Sequence, residues 1–124
     1  MIVDDRAGSR ELVTKQPLMS IATLGTLEYG DVALVGNGPD GPVAIGVEVK
    51  SVTDLLNSAR TQRLQGRQLR GMRETYDYSW LLVYGQWRPD ARGGMEIWSG
   101  KQSRWVEPHG FGTQANPYGY LERL

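Results

Sequence analysis

The chain has 124 residues, enough for one domain with its own core and too few for two ordinary ones. Hydrophobic residues make up 40% and charged residues 23%, ordinary for a globular protein and giving no sign of disorder, and 14 basic against 14 acidic residues give zero formal charge, which by itself argues neither for nor against nucleic acid. The absence of cysteine excludes disulfides and thiol chemistry, no apolar run approaches a membrane span, and Asp4-Asp5-Arg6 is the wrong start for a signal peptide, so the sequence reads as intracellular with no membrane partner.

Ile2-Val3-Asp4 reads as a first strand that delivers Asp4 to its tip. Ser9 is placed to cap a short helix that Pro17 must end. Ser20 to Leu27 and Asp31 to Gly36 alternate or run apolar, so both are predicted strands. Asn37-Gly38-Pro39-Asp40-Gly41 is a turn signal, and Val43 to Val49 returns as the second strand of a hairpin. Ser51 or Thr53 can cap the next helix, with Asp54 in its first turn. A single straight helix from there would mix Leu55, Leu56 and Ala59 with arginines on one side, so the phase predicts a break near Arg60 to Gln62. A short helix at about 52–59 and a longer one at about 63–77 result, the second with Leu64, Leu69, Met72 and Tyr76 on one face.

Ser79 to Tyr84 has a buried-strand pattern, Gln86 to Gly94 reads as a loop, and Met95 to Trp98 with Arg104 to Val106 reads as a second hairpin. Of the four tryptophans, most are expected in the core, and Trp87, in its loop with Arg88, is the one placed to stack on an unpaired base. His109, in a Pro/Gly-rich stretch, is expected to be a surface-loop residue. Asn116-Pro117 opens a segment that is either a docked short helix or the start of a piece truncated from a longer protein.

Two groups of residues carry chemistry. With the hairpin turn centred between Pro39 and Asp40, Asp31 falls opposite Glu48, on the order of 5 to 8 Å apart for same-face cross-strand positions, and Lys50 projects to the same side as Glu48. Two carboxylates alone repel each other. A hard divalent cation, Mg²⁺ or Mn²⁺, would relieve that by taking oxygens from Asp31, Glu48, a backbone carbonyl and waters, and Lys50 could then orient or deprotonate a water on the metal or neutralise a pentavalent phosphorane. The competing reading is a surface salt bridge on an exposed strand pair. The second group is a basic stripe: no acid lies between Asp54 and Glu74, while Arg60, Arg63, Arg67, Arg70 and Arg73 do. Such a stripe can hold phosphates, or can simply be a solvated helix face.

Thr26-Leu27-Glu28-Tyr29-Gly30-Asp31, followed by Val47-Glu48-Val49-Lys50-Ser51-Val52-Thr53-Asp54-Leu55-Leu56-Asn57-Ser58, resembles the nuclease domain of XPF-type structure-specific endonucleases, with its Gly-Asp pair and V-E-R-K-x-x-x-D-L-x-x-S signature. Asp4 and Arg6 match that family's opening D-x-R-E, and the likeness runs from about residue 2 to 84. It implies a single nuclease-like domain over 1–124 with a restriction-endonuclease-like α/β fold, a mixed central sheet flanked by helices. Residues 85–115 form a divergent loop and hairpin region.

The implied activity is Mg²⁺- or Mn²⁺-dependent hydrolysis of DNA phosphodiester bonds, in branched, flapped or partly single-stranded DNA. Asp31, Glu48 and the carbonyl of Val49 would hold the metal, Lys50 would be the catalytic lysine, and Asp4 a further acid of the site. Arg6, Arg60, Arg63, Arg67 and Arg70 would contact nucleic acid, and Arg63-Leu64 matches the arginine that opens the family's next helix. The chain departs from the family at Ala7, where the family has Glu, and at Val49, where it has Arg. The family's glutamine falls on Arg67, with Gln68 one position later and Gln65 two earlier, so none of the three is carried over. The family's tandem helix-hairpin-helix module is not found, so the implied homodimer would lack its usual second contact. These departures keep open a second reading, a weak or inactive nucleic-acid-binding module of the same fold.

Overall fold

The computed structural model describes residues 1–14, 21–60 and 67–108. His109, Arg63, the stretch after Asn116 and the start of the longer helix lie outside them, as does the side chain of Arg60. The protein is mixed α/β, with a five-stranded mixed sheet in the order β2-β1-β3-β4-β5 and a three-stranded antiparallel sheet β6-β7-β8. The strands of the larger sheet are β1 (Ile2–Asp4), β2 (Thr23–Gly25), β3 (Val32–Gly38), β4 (Gly41–Ser51) and β5 (Tyr78–Tyr84). Those of the smaller sheet are β6 (Trp87–Pro89), β7 (Met95–Ser99) and β8 (Arg104–Val106). The helices are α1 (Ala7–Thr14), α2 (Val52–Arg60) and α3 (Leu69–Thr75).

By its contacts the chain divides into two units, one from residues 1–49 and 65–82, the other from 50–64 and 83–124. In the first unit, β1 runs parallel to β2 and antiparallel to β3. The β3–β4 hairpin closes around Pro39-Asp40, with Gly38 paired to Gly41 and Val32 to Val47, which is the register the turn signal predicts. Val3, Val13 and Met72 are buried in this unit. Two aromatic rings lie directly on glycines: a Cβ at Gly71 would overlap the Tyr29 ring, and one at Gly46 would overlap the Tyr76 ring. Tyr76 also donates its hydroxyl proton to the Tyr29 carbonyl at 2.8 Å. That seat explains why the helix ends at Thr75, short of the predicted 77: Tyr76 is already extended, with φ −117° and ψ 147°, and feeds β5.

In the second unit, Val52 and Leu56 of α2 pack with Met95 and Ile97 of β7, and Val106 joins them. Ser51, of the two candidates, is the cap. Its hydroxyl accepts the Asp54 N–H at 3.1 Å and donates to the Asp54 carboxylate at 2.7 Å.

Several expectations are corrected. Ser9 lies inside α1 and caps nothing, because the helix begins earlier: Arg10 N–H already bonds to the Arg6 carbonyl. The second predicted strand shortens to Thr23–Gly25 among the described residues. The predicted loop at 86–94 contains a strand, β6, which pairs with β7 as an edge where Pro89 needs no donor. The strand at 78–84 is present but exposed along most of its length, with Trp80 64% accessible. Trp87 and Trp98 are exposed as well, so the expectation that most tryptophans lie in the core fails.

Candidate active site

The site starts from a turn that requires glycine. Gly30 has φ +83° and is buried, and a side chain there would be both in the left-handed region and within 3.3 Å of the Val47 carbonyl. Glycine at this position lets the chain enter β3 with Asp31 turned back across the β4 strand. The hairpin ladder ends at Val32 opposite Val47, and Asp31 lies just before it: its N–H donates to the same Val47 carbonyl at 2.8 Å, and its carboxylate accepts the Val49 N–H at 2.7 Å. These bonds hold Asp31 against the 47–49 stretch of β4 that carries Glu48, one residue out of the register that would pair the two acids directly.

Asp31 is also tied to its neighbours. Its other carboxylate oxygen accepts the Ser9 hydroxyl from α1, and its own carbonyl accepts the Asp4 N–H at 2.9 Å. This gives Ser9 the role that helix capping left open. Asp4, at the end of β1, has no accessible surface. Its carboxylate accepts the Leu27 N–H at 3.0 Å and pairs with the Arg6 guanidinium, which also donates to the Leu27 carbonyl at 3.2 Å. Burial pushes the Asp4 carboxyl up, but the Leu27 N–H and the Arg6 cation outweigh it and hold it below its usual value. The Arg6 guanidinium is raised by its hydrogen bond to Asp4 against the cost of burial, and the charges of Asp4, Asp31 and Glu48 add to this. Arg6 thus stands in the field of three carboxylates. Burial also raises the Tyr76 phenol, with the negative charge of Asp4 contributing.

Glu48 and Lys50 are two residues apart on β4 and hence on one side of that strand. They are 6% and 9% accessible, which removes the reading of an exposed surface salt bridge. Gln68 donates to Glu48 at 3.1 Å, and its carbonyl oxygen is, among the described residues, the one buried side-chain polar atom without a hydrogen-bond partner. Residues 67–68 are wound as a π-turn. Here Gln68 reaches Glu48 while Arg67 is exposed.

The arginine stripe is partly in view. Arg67, Arg70 and Arg73 are exposed, and Arg70 pairs with Glu74 one turn on at 2.9 Å. Among the described residues no three Asp, Glu, His or Cys side chains are grouped to hold a metal. A hard cation would rest on Asp31 and Glu48 with backbone and water oxygens, a donor set that suits Mg²⁺, which keeps several waters. The buried, unpartnered Gln68 oxygen beside Glu48 fits that hydrated environment. Comparisons with protein-family models, curated proteins and solved structures find no match for this chain. No helix among the described residues is long and apolar enough to cross a membrane.

Proposed function

We propose that the protein is a divalent-metal-dependent DNA endonuclease of the XPF type, on a restriction-endonuclease-like core, acting on branched or partly single-stranded DNA. The observation that carries this reading is the burial of Glu48 and Lys50 on one strand, with the Asp31 carboxylate bonded to the N–H of Val49 between them. Withdrawing an acid and a base from water costs several kcal/mol per ion, a cost common where ionised groups serve chemistry.

In this reading Asp31 and Glu48 hold Mg²⁺ or Mn²⁺, with the Val49 carbonyl as a further oxygen. Bound there, the cation supplies Lewis-acid polarisation of the phosphate and charge stabilisation. Ser9 and the Val49 N–H fix the rotamer of Asp31, and Gln68 fixes Glu48. Lys50 supplies a proton-transfer group or a cation toward the phosphorane. Asp4, held ionised by Arg6 and Leu27, keeps Arg6 in place beside the acids. Arg67 and Arg73 supply exposed cations for the phosphate backbone.

The second reading, a binding module that does not cut, is favoured by one specific feature. Both carboxylate oxygens of Asp31 already accept hydrogen bonds, from Ser9 and from Val49, so a cation must share or displace a donor. Labelled fork, flap and duplex DNA incubated with Mg²⁺ or Mn²⁺ separate the two. Cleavage by the wild type, lost in Asp31→Ala and Lys50→Ala, supports the nuclease. Retardation without cleavage in either metal supports the binding module, and cleavage that persists in both variants removes the site assignment.

A further inference from the structure

How a cation is received by Asp31 and Glu48 depends on the charges already beside them. Asp4 is withdrawn from ligation: it has no accessible surface, one carboxylate oxygen accepts the Leu27 N–H at 3.0 Å, and the other is paired with Arg6. Two carboxylates are left to a metal, in keeping with the lack of any three-ligand group among the described residues. Arg6 is seated by the fold, through its pairing with Asp4 and its donation to the Leu27 carbonyl at 3.2 Å. From that seat its guanidinium interacts electrostatically with Asp31 and Glu48 as well as with Asp4. Its side chain is nevertheless 62% accessible.

Lys50, 9% accessible, projects from β4 on the same side as Glu48. Three acids, Asp4, Asp31 and Glu48, against two cations, Arg6 and Lys50, leave a single formal negative charge. A divalent ion added to that set makes it positive. Both resident cations then repel the ion across surroundings that screen charge less well than bulk water. A backbone phosphate carries the one negative charge that restores neutrality, and the exposed part of Arg6 is where such a phosphate pairs.

We propose that Arg6 ties metal loading to nucleic acid: in the free protein it keeps the affinity of Asp31 and Glu48 for a divalent cation low, and a backbone phosphate that pairs with Arg6 lets the cation bind. The coupling rests on the metal-binding reading of Asp31 and Glu48, and it adds an order of events to that reading. Arg6 acts through its charge and touches no reacting atom. Linkage makes the effect reciprocal, so the cation raises the affinity for DNA by the same factor by which DNA raises the affinity for the cation. A role for Arg6 confined to holding Asp4 would leave both affinities independent of each other.

The test is the affinity of the full chain for Mn²⁺, read from the electron paramagnetic resonance signal of the free ion, with and without fork DNA. Mn²⁺ held by the DNA alone is subtracted, and because substrate and product both carry phosphates, cleavage during the titration does not remove the effect. Wild-type protein binds Mn²⁺ weakly by itself and about fivefold or more tightly when DNA is present. Arg6→Gln keeps a donor for Asp4 but removes the charge. Without DNA it binds Mn²⁺ about fivefold or more tightly than wild type, and it gains less when DNA is added. Arg6→Lys keeps the charge and follows wild type, and Asp31→Ala binds Mn²⁺ in neither condition. A thermal melt confirms that Arg6→Gln is folded, and the wild-type comparison stands without any variant. Equal wild-type affinity with and without DNA overturns the coupling and leaves the metal site in place. A folded Arg6→Gln that binds Mn²⁺ no more tightly than wild type also overturns it. Absence of Mn²⁺ binding in both conditions removes the metal site itself, and the coupling with it.

Discussion

Strands β4 and β5 are neighbours in one sheet, and each contradicts what its composition suggests. β4 ends in Val-Glu-Val-Lys-Ser and buries both charged side chains, whereas β5 reads Tyr-Ser-Trp-Leu-Leu-Val-Tyr and exposes nearly all of its apolar ones. The difference lies in position. β4 is flanked by β3 and β5, while β5 is the sheet's edge. A period of two identifies a strand, but it does not say whether anything covers either face. The buried charge on β4 is therefore the stronger functional signal, because burial of an ion costs free energy that packing alone does not return.

The largest expected effect breaks the comparison at β4. Asp31→Ala or Glu48→Ala removes a ligand of the proposed cation, a loss of several kcal/mol in transition-state stabilisation and on the order of a thousandfold in cleavage rate. Ser9→Ala leaves both carboxylates in place but frees the Asp31 rotamer, so a smaller loss is expected. Single-turnover cleavage of fork DNA measures all three. If Ser9→Ala equals Asp31→Ala in effect, Asp31 acts through its hydrogen bonds and the metal-ligand role fails.

Next in size are the two glycines under aromatic rings. Gly71→Ala drives a methyl group into the Tyr29 ring, and Gly46→Ala drives one into the Tyr76 ring. Overpacking of this kind costs about 1 to 3 kcal/mol, read from urea denaturation. A neutral result at Gly46 would mean that Tyr76 does not lie on β4.

How far the sequence reveals the site follows from the range of the interactions involved. The hairpin is legible because Pro39-Asp40 fixes a two-residue turn and the pairing counts outward from it as far as Val32 and Val47, which brings Asp31 and Glu48 to the same end, whereas the one-residue slip at Asp31 is not legible. Ser51 and the start of α2 are legible for the same local reason. Gln68 is not singled out by the sequence, because its contact with Glu48 is made between residues 20 positions apart and no local pattern announces it. β6 escapes a reading by pattern because three residues ending in proline carry little of it, and only pairing with β7 makes them a strand.

A smaller effect concerns pH. Asp4 has a folded pKa below its ordinary value of 3.8, so between the two values the folded state binds fewer protons than the unfolded one. Its contribution to stability is full above the unfolded value and is lost as pH falls through the folded value. Arg6→Ala removes the paired cation and moves that loss to higher pH, visible as a shifted acid limb in Tm against pH. Arg6→Lys keeps the charge but loses the planar donor set, and an intermediate shift is expected. An unshifted acid limb in Arg6→Ala would mean that the Leu27 N–H alone holds Asp4 ionised.

The smallest effect tests β5 itself. Trp80 is the most exposed of its tryptophan and tyrosine side chains, so Trp80→Ser should change stability by no more than about 0.5 kcal/mol, as at other exposed sites. Leu55→Ala, at a side chain with no accessible surface, provides the opposite limit and should cost about 2 to 5 kcal/mol. The serine variant should also be less prone to self-association, because an edge strand with an apolar face is a template for pairing between chains. Denaturation and light scattering read the two consequences separately. A loss of about 2 kcal/mol or more in Trp80→Ser, the size of a buried-site effect, would mean that the ring is covered in solution. β5 would then be an interior strand, and the contrast with β4 would reduce to charge alone.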